Sequence, residues 1–83
     1  MVDVTYYVAM PFLRDDNGAP VAGNAEECQS STTALRRAEA LSHAPGHVGA
    51  IAFSRSGDPL MGEFSDAKLL RAFGNVPEDL SEL

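Results

Sequence analysis

The sequence predicts an α+β fold: a small antiparallel sheet in the order β-β-α-β-β, with one main helix on one face and a short C-terminal helix or strand. Three observations predict it. Large and small side chains alternate from Val4 to Leu13, as in a strand. A helical pattern begins near Ser31 and stops at Pro45. An unbroken apolar run, residues 48–53, then has the composition of a strand covered on both faces.

The composition indicates a small acidic protein. Its 83 residues are expected to form one domain over residues 1–77, followed by an acidic, frayed tail over residues 78–83. Twelve acidic and six basic residues give a net charge of −6, which repels phosphate and anionic lipid. Asp3 stands where a signal peptide would have a basic region, so we expect no leader, and no apolar run approaches the roughly 18 residues of a membrane helix. We therefore expect a soluble, cytoplasmic protein with no membrane or nucleic-acid partner.

The first strand is predicted from its period of two. Pro11 suggests either an edge strand or a bulge near the end of the run, and Asn17-Gly18 indicates a turn. We expect one face of this strand to point into the core and the other, with Thr5, Tyr7 and Ala9, to point outward. The inward face carries the large side chains Val4, Tyr6, Val8, Met10 and Phe12.

The main helix is predicted from its cap and its apolar stripe. Ser30 to Thr33 offer hydroxyl groups to the free amides of a helix start, and Pro45-Gly46 stops the helix. The expected buried stripe is Ala34, Ala38 and Leu41, opposite Arg36, Glu39 and His43. We expect a core formed by Tyr6, Val8, Met10, Phe12, Leu35, Leu41, Ile51 and Phe53.

Two segments allow alternative interpretations. Residues 19–29 either hold a strand that starts at Val21 or extend the helix towards its N-terminus, since Asn24 with Glu27 resembles a capping box. The strand is preferred. Residues 66–73 form either a helix capped by Asp66 or a strand, and residues 60–64 are expected to form a short strand.

Several short motifs occur together in this chain: Tyr6-Tyr7-Val8, residues 50–55 (AIAFSR), Gly57-Asp58-Pro59 and Phe73-Gly74. With these motifs the chain resembles a family of small uncharacterised bacterial α/β proteins, which pair an N-terminal strand with a helix and a Gly-Asp-Pro hairpin. The motifs are turn and core residues, so the resemblance implies a fold and no activity.

Catalytic and metal sites have weak support in the sequence. Cys28 with His43 or His47 would offer a nucleophile and a base, but no third residue completes a triad. The two histidines have a spacing that suits zinc only on a continuous helix, and Pro45-Gly46 interrupts it. We expect no metal, no cofactor and no catalytic residue, with a thiol enzyme as the second alternative function.

The leading hypothesis is a non-enzymatic interaction or regulatory module, which forms a homodimer or docks on another protein. Its expected contact surface is Thr5, Tyr7 and Ala9, because tyrosine is enriched at interfaces, together with Arg36 and Arg55, because arginine can hold a carboxylate or phosphate of a partner. The first alternative is a nucleic-acid- or nucleotide-associated protein that uses Arg36, Arg55 and Arg71. Against it stands the chain's negative charge.

Overall fold

The computed structural model describes residues 4–58, 60–65 and 67–77. The strands are β1 (Val4–Arg14), β2 (Pro20–Ala22), β3 (Glu26–Cys28), β4 (His47–Asp58), β5 (Glu63–Phe64) and β6 (Lys68–Gly74), and the helix is α1 (Ser31–Ser42). All pairings are antiparallel, in a single six-stranded sheet that curls. The predicted α+β class is confirmed, whereas the order of elements differs in detail, because β3 is an additional strand before the helix and the C-terminal element is a strand.

The helix begins and ends where its capping residues predict. The Ser30 hydroxyl accepts a hydrogen bond from the Thr33 amide at 3.1 Å, which satisfies one of the free donors at the helix start. At the other end the backbone amide of His43 bonds back to α1, and Gly46 adopts a positive φ of 85°. Ala34, Ala38 and Leu41 are buried, as predicted.

The two ambiguous segments are strands. β2 returns antiparallel to β1 with Ala22 opposite Phe12, which confirms the preferred strand at Val21. The segment with the capping-box pattern contains β3 instead of a helix turn, since Glu26 pairs with Ala9. β6 pairs with β4 over most of its length, so the helical alternative for residues 66–73 is wrong. The predicted cap of that helix, Asp66, and the tail 78–83 lie outside the described residues.

β1 is a central strand, flanked by β4 on one side and by β2 and β3 on the other. The expectation that it lies at an edge is therefore wrong, and a bulge after Phe12 confirms the other alternative. Pro11 falls in the gap between β2 and β3, where its carbonyl accepts a hydrogen bond from the Gly23 amide at 2.8 Å. A proline has no backbone N–H to donate, and at this position no strand partner on the β2–β3 side requires one.

The helix covers the face of the sheet that carries small side chains. Ala9, Ala50 and Ala52 pack against α1 in one buried cluster, with Tyr7 at its margin. The large side chains of the opposite face form a second cluster, which Ala67 and Val76 cover in part. We call these two sides of the sheet the helix face and the opposite face. The second cluster contains Met10, Phe12, Ile51 and Phe53.

This arrangement reverses the predicted orientation of β1. Ala9 is 0% exposed and Tyr7 is half-buried, so neither residue belongs to an outward surface. The reason is steric: the alanines of α1 approach the sheet most closely where the sheet also carries alanine. Five residues of the predicted core are buried: Met10, Phe12, Leu41, Ile51 and Phe53. The other three are only partly buried: Tyr6, Val8 and Leu35.

Candidate protein-interaction surface

The most exposed apolar side chains of the described residues lie in one segment after β4. Leu60 is 94% exposed and Met61 67%, at the turn that leads into β5. Phe64 and Leu69 are each 45% exposed. We call this segment, from Leu60 to Leu69, the exposed arm. The one other large apolar residue that is exposed among the described residues is Val21, on β2 at the far edge of the sheet.

Backbone hydrogen bonds hold the turn of the exposed arm in a defined conformation. The carboxylate of Asp58 accepts from the Leu60 amide at 2.9 Å. The Asp58 carbonyl accepts from the amides of Met61 and Gly62, at 3.2 and 3.0 Å. Gly62 has a positive φ of 69°, a conformation that glycine adopts at little cost. These contacts fix the turn backbone while the side chains of Leu60 and Met61 remain in solvent.

The exposed arm is attached to the sheet beyond its turn. Ser65 donates both its amide and its hydroxyl to the Ser56 carbonyl, each at 2.8 Å. The Phe64 ring packs against Tyr6 on β1, with ring centroids 5.9 Å apart and planes tilted by 51°. Phe64 is therefore oriented by an aromatic neighbour and still presents almost half of its surface to solvent.

A shallow groove of about 330 Å³ lies beside the exposed arm on the opposite face. Its walls are aromatic and aliphatic, and Arg55 supplies a positive charge. Arg55 lies opposite Tyr6 in the β1–β4 pairing and therefore on the face away from α1. The groove is lined by Tyr6, Val8, Ala25, Phe53, Arg55 and Phe64.

The predicted surface residues are not brought together. Thr5 is exposed and its hydroxyl shares a 2.8 Å hydrogen bond with Ser56, but Ala9 lies beneath the helix. Arg36 is exposed on the outer face of α1. The expected outward position of Ala9 is therefore wrong, and Arg36 and Arg55 lie on different layers of the molecule.

The three arginines of the nucleic-acid alternative are also separated. Arg36 lies on α1, whereas Arg55 belongs to the opposite face of the sheet. Arg71 lies opposite Ala52, a residue of the helix face, so the sheet separates it from Arg55. The structure thus contains no single patch built from these three residues.

Cys28 and His47 lie far apart along β1. Cys28 pairs with Tyr7 on β1, whereas His47 pairs with Leu13. At about 3.3 Å per strand residue, the two positions are about 20 Å apart, far beyond hydrogen-bond reach. The thiol of Cys28 donates to the Glu26 carbonyl at 3.7 Å. Cys28 and His47 therefore do not form the nucleophile–base pair of the thiol-enzyme alternative.

The two histidines are not arranged as ligands of one metal ion. His47 has its Nδ1 2.8 Å from the Leu41 carbonyl, and because a carbonyl only accepts, Nδ1 carries the proton of this contact. His43 is exposed at the C-cap of α1. Among the described residues, no three or more histidine, cysteine, aspartate or glutamate side chains lie close enough together to hold a metal ion.

An ion pair between Arg37 and Glu26 joins α1 to β3. Arg37 donates from its Nε to a carboxylate oxygen of Glu26 at 3.0 Å and from a second nitrogen at 3.3 Å. Both side chains are nearly half exposed. Solvent screens such a pair, so it orients the two elements more than it stabilises them.

Comparisons with known proteins give no relative of this chain. No protein-family model matches it, and neither a curated protein nor a solved structure shows significant similarity to it. The resemblance to a bacterial family stays a prediction, since none of these comparisons tests it. Within the described residues, no helix is long and apolar enough to cross a membrane.

Proposed function

We propose that this chain is a non-enzymatic protein-interaction module whose contact surface is the exposed arm. The supporting observation is that four exposed apolar side chains lie within one short stretch of the chain: Leu60, Met61, Phe64 and Leu69. Clustered exposed apolar side chains commonly mark a site of protein contact, whereas single ones are ordinary. The turn that carries Leu60 and Met61 is hydrogen-bonded, so binding to it costs little ordering of the backbone.

The partner of this surface is either a second copy of the chain or another protein. Binding of a second copy would make the protein a homodimer. Size-exclusion chromatography with light scattering, at increasing protein concentration, distinguishes self-association from binding of another protein. A mass that doubles, and returns to the monomer value in a Leu60→Ser/Met61→Ser double variant, identifies a homodimer. A monomeric mass throughout leaves another protein as the partner.

Affinity capture from native cell extract tests the proposal directly. Wild-type chain, the Leu60→Ser/Met61→Ser double variant and a Val21→Ser variant are used as baits at low and moderate salt. Val21 provides a matched control because it is an exposed apolar residue at the opposite edge of the sheet. We expect the control to retain the protein that wild type captures and the double variant to lose it.

Two results of this experiment would overturn the proposal. Equal recovery of the same partner by all three baits would place the contact elsewhere on the molecule. Nucleic acid that is recovered at low salt and lost steeply at moderate salt would favour the alternative based on the arginines. Circular dichroism and melting of each bait confirm that the compared proteins are equally folded.

A further inference from the structure

β6 is the longest open edge of the sheet. It has seven residues and pairs with β4 along one side. Within residues 4–58, 60–65 and 67–77, no strand pairs with its other side. The remaining strands at the edges, β2, β3 and β5, have only two or three residues. A long edge offers a row of free backbone donors and acceptors to an added strand.

The exposed side chains on the helix-face side of β6 are positively charged, while Leu70 and Phe73 on the same side are partly buried against the helix-face cluster. Arg71 lies opposite Ala52, which packs under α1. Lys68 lies opposite Ser54, and Ser54 pairs with Tyr7 of the same helix-face cluster. Both cations are exposed. They therefore lie along the same side of the open edge.

The other side of β6 is apolar. Leu69 lies opposite Phe53, a residue of the opposite face, and is half exposed. Ala72 lies opposite Ile51 on that side. A bulge in the pairing between Ala52 and Phe53 allows Leu69 and Arg71 to occupy different faces, although they are two residues apart.

Charge distinguishes β6 from the chain as a whole. The strand contains two cations and no acidic residue, in a protein of net charge −6. The Arg71 guanidinium carbon lies 5.3 Å from the centroid of the Phe73 ring, a cation–π contact that holds this charge beside the edge. The edge thus attracts negative charge locally.

We propose that β6 binds an extended segment of another protein in which acidic and apolar residues alternate. The segment adds to the sheet as one further strand. Successive side chains of a strand point to opposite faces, so its acidic residues meet Lys68 and Arg71 and its apolar residues meet Leu69. This inference rests on the proposed function and deepens it, because it gives the chemistry of the partner.

A second copy of β6 does not suit this edge. Two such strands would bring four cations together along one side, and like charges opposite each other destabilise a strand pair. An acidic strand replaces that repulsion with attraction. Charge complementarity therefore favours a different protein over self-pairing.

Fluorescence anisotropy with a designed peptide tests the inference. The labelled probe is as long as β6 and alternates glutamate with valine. Three control probes change one property each: lysine in place of glutamate, the same composition in blocks, and alternate backbone amides methylated. We expect saturable binding of the first probe and loss of binding with all three controls. The lysine probe reverses the charge, the block probe removes the alternation, and the methylated probe removes the backbone hydrogen bonds.

Variants of the protein locate the binding site. Arg71→Glu and Lys68→Glu should each lower the affinity for the peptide probe by about tenfold or more, because a glutamate at either position repels the acidic probe. Arg36→Glu makes the same change of charge on the outer face of α1 and should leave the affinity unchanged. Leu69→Thr should weaken binding without a change in salt dependence. Melting curves check that each variant is folded.

The outcomes separate this inference from the proposed function. Absence of saturable binding, equal binding of the block or lysine probe, or equal weakening by Arg36→Glu would each overturn the inference. If the protein forms a dimer and the probe dissociates it, a second copy of the chain occupies the β6 edge, which would also overturn the inference. If a captured partner depends on Leu60 and Met61 but not on Lys68 or Arg71, the proposed function stands and the inference fails.

Discussion

Ala9 lies directly opposite Ala52 in the β1–β4 pair, and both side chains are fully buried beneath α1. Ala38 of the helix belongs to the same cluster. This contact between small residues sets the distance of the helix from the sheet. It also decides which face of the sheet the helix covers.

Replacement of Ala38 by leucine should therefore destabilise the domain. The larger side chain has no space between α1 and the sheet, and overpacking of this kind costs about 1–3 kcal/mol. Ala40→Leu is the matched control, because Ala40 is exposed on the same helix and leucine is also a good helix former. Urea unfolding should show a lower midpoint for Ala38→Leu alone, and equal midpoints would contradict the packing described.

The apolar residues of β4 on the opposite face should be equally important. Ile51→Ala and Phe53→Ala remove large side chains that are buried in the second cluster, at a cost of about 2–5 kcal/mol each. Leu60→Ala removes a similar volume from an exposed position and should leave the melting temperature unchanged. Wild-type melting of the β4 variants would show that this cluster does not stabilise the fold.

The N-cap of α1 gives a third stability test. Ser30→Ala removes the acceptor of the Thr33 amide and should cost about 0.5–2 kcal/mol. Ser30→Asp keeps an acceptor at the same position and should restore most of that loss. Thermal unfolding followed by circular dichroism measures both variants. Equal melting of Ser30→Ala and Ser30→Asp would contradict a capping role for this side chain.

Much of the fold could be predicted from the sequence because its signals are local. The cap at Ser30 and the stop at Pro45-Gly46 depend on neighbouring residues alone, and the helix bounds follow from them. The strand at Val21 was also predicted correctly. The face that α1 covers was not, because a period of two identifies two faces and leaves open which one meets the helix.

The position of the exposed arm did not follow from the sequence argument that selected a contact surface on β1. Thr5, Tyr7 and Ala9 were selected as the outward face of β1, but which face is outward depends on packing against α1, a helix distant in sequence. The exposed arm had a sequence signal: two large apolar residues, Leu60 and Met61, follow a turn at Asp58. An apolar pair in a turn is more often exposed than an apolar pair within a strand.

Metal removal should have no effect on this protein. Within the described residues the histidine, cysteine and carboxylate side chains form no cluster that would hold an ion. Dialysed protein should contain well under one equivalent of zinc by elemental analysis, and a chelator should leave its melting temperature unchanged. A large drop on addition of chelator would contradict this, since the free energy of a structural metal is folding free energy.

Hydrogen exchange of the chain, alone and saturated with its captured partner, tests the central claim most directly. The claim is that contact is made through the exposed arm and the adjacent β6. We predict slower exchange of backbone amides within residues 60–74 in the complex and unchanged exchange within residues 5–9 and along α1. Protection confined to α1 or to β2 and β3, with residues 60–74 unchanged, would contradict the account.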